Sequence, residues 1–189
     1  MKKLMIFILL ISIMLTGCGS KDNTPDSVEG DKPVREETQN DDTGENQSKQ
    51  EEEPSGFAFK HNGVTIYMNT DVSPVINALG EPLQYFEAES CAFKGLDKTY
   101  TYAGFEITTY PMDGKDYISS VYLMDDTVST PEGIYIGSTV DEMIAAYGDD
   151  YTQSSGSYTY TKGDSKLQFI ANNDEIISIT YLAVVEGLE

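Results

Sequence analysis

The chain has 189 residues, with 32 acidic and 12 basic side chains, and its net charge at neutral pH is −20. Because nucleic-acid phosphates require a basic surface, this charge argues against nucleic acid as a partner. From Phe57 onward the chain still carries 20 acidic and six basic residues, so its own charge of −14 also argues against direct docking on anionic lipid.

The N-terminus predicts a signal peptide over residues 1–17. Lys2 and Lys3 form a short positive region, and an almost unbroken apolar run extends from Leu4 to Leu15. These twelve residues are too few to cross a bilayer core of about 30 Å, which takes a helix of about 20 residues. The layout is that of a targeting segment that is removed from the mature protein.

The four residues Leu15-Thr16-Gly17-Cys18 resemble the lipobox of bacterial lipoproteins. This resemblance implies that the Cys18 thiol is modified with diacylglycerol and that the chain is cleaved just before it. One acyl chain gives marginal membrane binding, whereas two give stable anchoring. We therefore expect a lipid-anchored protein on the extracytoplasmic face of the cell membrane.

Residues 18–55 are expected to form the lipidated cysteine and a disordered acidic stalk. From residue 19 to residue 55 there are twelve acidic and four basic side chains, no aromatic residue, and only Val28 and Val34 as larger aliphatics. Such a segment buries too little apolar surface to offset its ordering entropy. Its like charges repel one another and extend the chain, so it predicts a spacer.

Residues 56–189 are expected to form one folded domain, because all thirteen tyrosines lie there. An internal similarity aligns residues 66–80 with residues 134–148 without gaps. Further along, Tyr100-Thr101-Tyr102 matches Tyr158-Thr159-Tyr160 with an offset that is ten residues shorter. The similarity predicts two units, about 57–126 and 127–185, and the first has the longer connection.

Each predicted unit begins with a short helix and continues with three strands. Apolar residues at helical spacing are Val72, Ile76 and Leu79 in the first unit and Val140, Ile144 and Tyr147 in the second. The strands are expected near residues 99–102, 105–110 and 117–124, and near residues 157–161, 166–171 and 175–183. The predicted fold class is therefore α+β, with two tandem helix-plus-three-strand repeats whose helices pack on a shared antiparallel sheet.

The helix segments carry a family resemblance. Residues 69–82, which include Leu79-Gly80-Glu81-Pro82, resemble the conserved helix of the small outer-membrane assembly lipoproteins of the SmpA/OmlA group, and residues 137–148 form a second copy. Tandem units of this kind are similar to the beta-lactamase inhibitor protein fold, which implies one concave sheet that binds a protein. Asn69 and Asp71 depart from the glycine and threonine of the motif.

Few residues in the domain point to catalysis. His61 is the only histidine and Cys91 the only thiol after Cys18, and nothing in the sequence brings the two together to form a nucleophile and its base. Acidic clusters at predicted turns lack the alternating spacing of a calcium loop. The sequence therefore predicts a non-enzyme with no catalytic residue, no metal site and no cofactor, although a weak calcium site stays open.

The domain is rich in tyrosine, and two pairs of tyrosines at period-2 spacing suggest a binding function. Tyr100 and Tyr102 point to one side of a strand, as do Tyr158 and Tyr160. These four residues are the candidate binding face, with a half-buried core lining as the alternative. We predict a non-catalytic recognition or interaction module whose partner is a protein or envelope component. The alternative function is a small-ligand or calcium carrier in the cleft between the two units.

Overall fold

The computed structural model describes residues 55–186, which form ten strands and two helices. Half of these residues lie in strands and 12% in helices. The predicted α+β fold of two helix-plus-three-strand repeats is therefore wrong, since the domain is mostly β and is built on one large antiparallel sheet. The predicted signal peptide, Cys18 and nearly all of the acidic stalk lie outside the described residues.

The elements follow one another along the chain in two series, each with a helix near its start. The first series comprises β1 (Ala58–His61), β2 (Val64–Tyr67), α1 (Val72–Leu79), β3 (Gln84–Glu89), β4 (Leu96–Tyr102), β5 (Phe105–Met112) and β6 (Lys115–Leu123). The second comprises α2 (Val140–Tyr147), β7 (Thr152–Ser154), β8 (Ser157–Lys162), β9 (Ser165–Asn172) and β10 (Glu175–Ala183).

Eight strands form one antiparallel sheet in the order β3-β4-β5-β6-β10-β9-β8-β7. Two four-stranded meanders therefore meet at the pair β6–β10, where Val121 lies opposite Tyr181 and Leu123 opposite Ile179. The strands β1 and β2 form a separate hairpin. The sheet has two edges, β3 and β7, which are far apart in this order.

The two helices lie where the sequence predicts them, but their buried sides differ from the prediction. In α1 the buried residues are Val72 and Val75, and in α2 they are Val140 and Met143. Ile76, Leu79, Ile144 and Tyr147 are only partly buried at the margin of the core. The reason is the length of eight residues, because a two-turn helix presents an i, i+3 pair to the sheet and leaves the next positions at its border.

Six of the eight sheet strands overlap the predicted ones, and the other two were missed. Strands β3 and β7 have every side chain exposed, so no alternation of apolar and polar residues marks them. The turns between the predicted strands have the backbone conformations that their residue types favour. For example, Asp113 and Gly114 both have positive φ, 52° and 76°, as a two-residue type I′ hairpin requires.

The core lies on one side of the sheet, under the helices and the β1–β2 hairpin. Phe59 of the hairpin has its ring 5.0 Å from that of Phe105 and 5.9 Å from that of Tyr181. On the α2 side, Tyr147 has its ring 5.4 Å from that of Phe169. Most apolar side chains that face this layer from the sheet are buried, so the covering elements and the sheet share one core.

Candidate binding surface

The four tyrosines of the predicted binding face do share one side of the sheet, but it is the covered side. Tyr102 lies opposite Phe105, and Tyr160 lies opposite Leu167, both of which are core residues. Tyr102 and Tyr160 are 9% and 4% exposed, while Tyr100 and Tyr158 are partly buried against the core. An exposed binding face of four tyrosines is therefore not what the structure forms.

Two of these tyrosines hold the ends of the helices. The Tyr102 hydroxyl donates to the Gly80 carbonyl over 3.1 Å, and the Tyr160 hydroxyl donates to the Gly148 carbonyl over 2.7 Å. Each glycine follows the last residue of its helix. Burial raises the pKa of Tyr160 to about 12, so the hydroxyl keeps its proton and remains a donor at neutral pH.

The opposite side of the sheet, which we call the open face, has mostly half-exposed side chains along its inner strands; Tyr110 of β5, which is 2% exposed beside Phe93 and Tyr117, lies outside the core cluster. The residues of the open face alternate with the core residues and are rich in threonine and serine. They include Thr99, Thr101, Glu106, Thr108, Ser120, Tyr122, Thr180, Gln168, Ile170 and Thr159. In residues 55–186 no helix or hairpin packs on this side, so a broad polar surface is presented to solvent.

The three most exposed large apolar side chains of the described residues lie on or beside strand β3. Phe86 is 65% exposed on the open face, Tyr85 is 50% exposed on the other side, and Leu83, just before the strand, is 72% exposed. These residues lie in the connection between Pro82 and Lys98 that makes the first unit longer. That insertion was visible in the sequence, and an aromatic pair inside an insertion is the signal that would have identified the strand.

The charges on β3 are acidic. Glu87 and Glu89 lie on the strand, and the Glu87 carboxylate accepts a hydrogen bond from the Tyr85 hydroxyl. Lys98, directly across from Glu87, is already engaged, because its Nζ lies 2.7 Å from an Asp116 carboxylate oxygen and that bond raises its pKa. The edge therefore combines exposed apolar rings with negative charge.

The residues considered for catalysis are in different environments. Cys91 is exposed in the loop between β3 and β4. The His61 ring, at the end of β1, packs 4.9 Å from the Phe105 ring, and Asn62 Nδ2 lies 2.9 Å from its Nε2. Between residues 55 and 186 no three acidic, histidine or cysteine side chains come together as metal ligands would.

No protein-family model and no curated protein matches the chain. Among solved structures, it is similar to an extracellular protein containing a SCP domain from Bacillus anthracis str. Ames, at 12% identity and a TM-score of 0.37. The match covers 61% of this chain and 44% of that protein, so the chain corresponds to less than half of its length.

A likeness of this size carries no argument about fold or activity. An extracytoplasmic location is what the N-terminal sequence predicts. No helix within residues 55–186 is long and apolar enough to cross a membrane. The resemblance to the SmpA/OmlA group and to the beta-lactamase inhibitor protein fold stays a prediction from the motif.

Proposed function

We propose that this protein is a lipoprotein, anchored through Cys18 on the extracytoplasmic face of the cell membrane, that carries a non-catalytic recognition domain on its acidic stalk. The observation that supports recognition is strand β3, a six-residue sheet edge on which Phe86 and Tyr85 are at least half exposed. Natural sheet edges are normally short, charged or covered, because unpaired backbone groups beside apolar side chains promote association. An edge of six residues with two exposed aromatic rings therefore marks a site for a partner, even though it also carries two glutamates.

The partner that fits this edge is a protein with an extended segment that carries apolar and basic side chains. Within residues 55–186, strand β3 pairs only with β4, so its outer backbone N–H and C=O groups can receive another strand. The two glutamates Glu87 and Glu89 favour basic residues on that strand, and the net charge of −20 attracts them over a distance. Phe86 and Tyr85 provide the apolar contacts.

The alternative of a carrier with a cleft between two units has less support. The pair β6–β10 joins the two meanders by a continuous register from Leu123 to Ser120, opposite Ile179 to Leu182. The sheet thus passes through the place where the cleft was expected. The acidic turns likewise show no grouped ligands in the described part of the chain, which leaves the calcium version without a structural argument.

A photocrosslinking experiment on the full-length protein in intact cells tests the proposed edge. A photoreactive phenylalanine analogue is placed at Phe86 of β3 or, as a matched control, at Gln153 of the other edge strand β7, which is also exposed. We expect position 86 to form one defined protein adduct that weakens with added salt, and position 153 to form none. Equal crosslinking at both positions, or none at position 86, would contradict the proposal.

The anchor has its own test, which does not depend on the partner. In the Cys18→Ser variant, lipidation is blocked, so the protein should remain unprocessed or be released into the medium. The measurement is fractionation together with metabolic labelling by a fatty acid. A processed Cys18→Ser protein that still remains with the membrane fraction would show that the anchor lies elsewhere.

A further inference from the structure

A second candidate site lies on the covered side of the domain, away from β3. It is a cavity of about 370 Å³ between the β1–β2 hairpin, the loop before α2, the end of α2 and the strands β8 and β10. This volume is in the range of small-molecule sites, about 300–1,000 Å³. The lining residues that matter here are Phe57, Lys60, Glu132, Tyr147, Lys162 and Tyr181.

The inner wall contains an unsatisfied polar group. Tyr181 is 1% exposed, and within the described residues its buried hydroxyl has no hydrogen-bond partner. Such groups are rare, because burying a donor without an acceptor is costly. Beside it, the Tyr147 hydroxyl donates to the Glu132 carboxylate. The Tyr181 hydroxyl has no accessible surface, so the polar group that this wall offers to a ligand is the Glu132 carboxylate, which can accept further hydrogen bonds.

The mouth of the cavity is positively charged, although the domain as a whole is acidic. Residues 55–186 contain six lysines and no arginine. Lys98 and Lys115 form ion pairs with aspartates, whereas Lys60 and Lys162 both line this cavity and form no ion pair with a carboxylate in the described part. Two lysines that line one cavity in a domain of net charge −14 point to an anionic ligand.

The backbone of residues 56 and 57 packs closely against Ser165 at the border of the cavity. Gly56 has φ +122°, and a Cβ at this position would lie 2.4 Å from Ser165 Oγ. The next residue, Phe57, donates its backbone N–H to the same Ser165 Oγ over 2.8 Å. These contacts hold the Phe57 ring 6.3 Å from the Tyr147 ring and 5.9 Å from Lys162 Nζ. A rigid apolar surface thus lies beside the charged mouth.

We propose that this cavity binds a small hydroxylated organic anion of the size and chemistry of an acidic monosaccharide. Its carboxylate lies at Lys60 and Lys162, its ring packs on Phe57, and one hydroxyl donates to Glu132. The two lysines then have an anionic partner. The site is separate from β3, so it stands or fails independently of the proposed protein partner.

Calorimetric titration of the purified full-length protein tests this proposal, with glucuronate as the probe. Glucose is the neutral control of the same shape, and inorganic phosphate is the anion without a ring. We expect glucuronate to bind at least tenfold more tightly than either control, a ratio that corresponds to the loss of about one charged contact. Absence of glucuronate binding, or equal affinity for glucose or phosphate, would overturn the proposal.

Variants separate binding from stability. The double variant Lys60→Met and Lys162→Met changes two exposed side chains and should lower glucuronate affinity about tenfold or more, while Lys166→Met, whose side chain lies on the open face, should leave it unchanged. Unchanged affinity in the double variant would show that the cavity is only structural.

Discussion

The two edges of the sheet differ more than the strands beside them. In β4 and β8, Tyr102 and Tyr160 make the same hydrogen bond to the end of a helix. Outside β4 lies the six-residue β3 with its exposed rings, whereas outside β8 lies the three-residue, fully polar β7. Because a short polar edge is sufficient to close one end of the sheet, the apolar surface of β3 exceeds what the fold requires. The comparison of β3 with β7 therefore suggests that the exposed rings of β3 are present for a partner and not for the stability of the sheet.

The largest effect comes from comparing two phenylalanines in the same half of the sheet, Phe105 on β5 and Phe86 on the edge strand β3. Phe105 is fully buried, so Phe105→Ala should lower the free energy of unfolding by about 3–5 kcal/mol. Phe86 is 65% exposed, so Phe86→Ala should change it by less than about 0.5 kcal/mol. Urea unfolding of both variants measures the difference. A comparable loss in Phe86→Ala would show that β3 is part of the core, and would remove the argument for recognition.

Alkaline pH should destabilise the domain through its buried tyrosines. Burial raises the pKa of Tyr160 from 10.0 to about 12 and raises the pKa of Tyr102 and Tyr181 as well. The folded domain therefore retains phenolic protons that the unfolded chain releases above pH 10.0. The stabilisation is complete below pH 10.0 and is lost as the pH rises towards about 12. Urea midpoints and tyrosinate absorbance across this range measure it, and an unchanged midpoint would contradict the burial of these hydroxyls.

A smaller effect is expected from removing the hydroxyls that contact the helix ends. Tyr102→Phe and Tyr160→Phe should each lower the free energy of unfolding by about 0.5–1 kcal/mol, the lower part of the usual range for a hydrogen bond, because the Gly80 and Gly148 residues are exposed and water replaces the donor. The control Tyr122→Phe, on the open face, should have no effect. A loss in only one of the two variants would mean that the two helix ends are held differently.

The sequence predicted those strands and helices that bury one side against the core. Strands with one apolar side were identifiable, and so were helices bounded by Gly80 and Gly148 with apolar residues between. Strand β3 was not, because both of its sides are exposed and its aromatic residues follow no alternation that a core would impose. The fold class was wrong for the same reason, since the missed strands complete a sheet that dominates two short helices.

The candidate sites were harder to predict than the strands. Tyr102 and Tyr160 were correctly placed on one side of their strands, but periodicity does not identify the side that the helices cover. The cavity joins residues far apart in sequence, from Phe57 to Tyr181, and only the packing of the hairpin beside α2 brings them together. No local spacing encodes such a site.

The smallest effect is expected from removing the charge of Asp71 at the N-terminus of α1. In α1, Asp71 Oδ1 accepts from the Ser73 backbone N–H over 2.9 Å, and that bond lowers the pKa of Asp71 below 3.8. In α2, Thr139 and Glu142 form a reciprocal capping box instead. Lys115 Nζ lies 3.3 Å from Asp71, but 58% of the lysine side chain is exposed, so this ion pair contributes little.

Asp71→Asn keeps the capping acceptor and removes the charge, so it should change the free energy of unfolding at neutral pH by less than about 0.5 kcal/mol, because asparagine caps about as well as aspartate. Asp71→Ala and Thr139→Ala should each cost about 1 kcal/mol, since both remove the acceptor. The stabilisation by the Asp71 carboxylate is present above pH 3.8 and is lost as the pH falls, and this dependence should disappear in Asp71→Asn. Urea unfolding at neutral and acidic pH distinguishes these cases. A loss in Asp71→Asn equal to that in Asp71→Ala would mean that the charge, and with it the pair to Lys115, stabilises α1 more than the cap does.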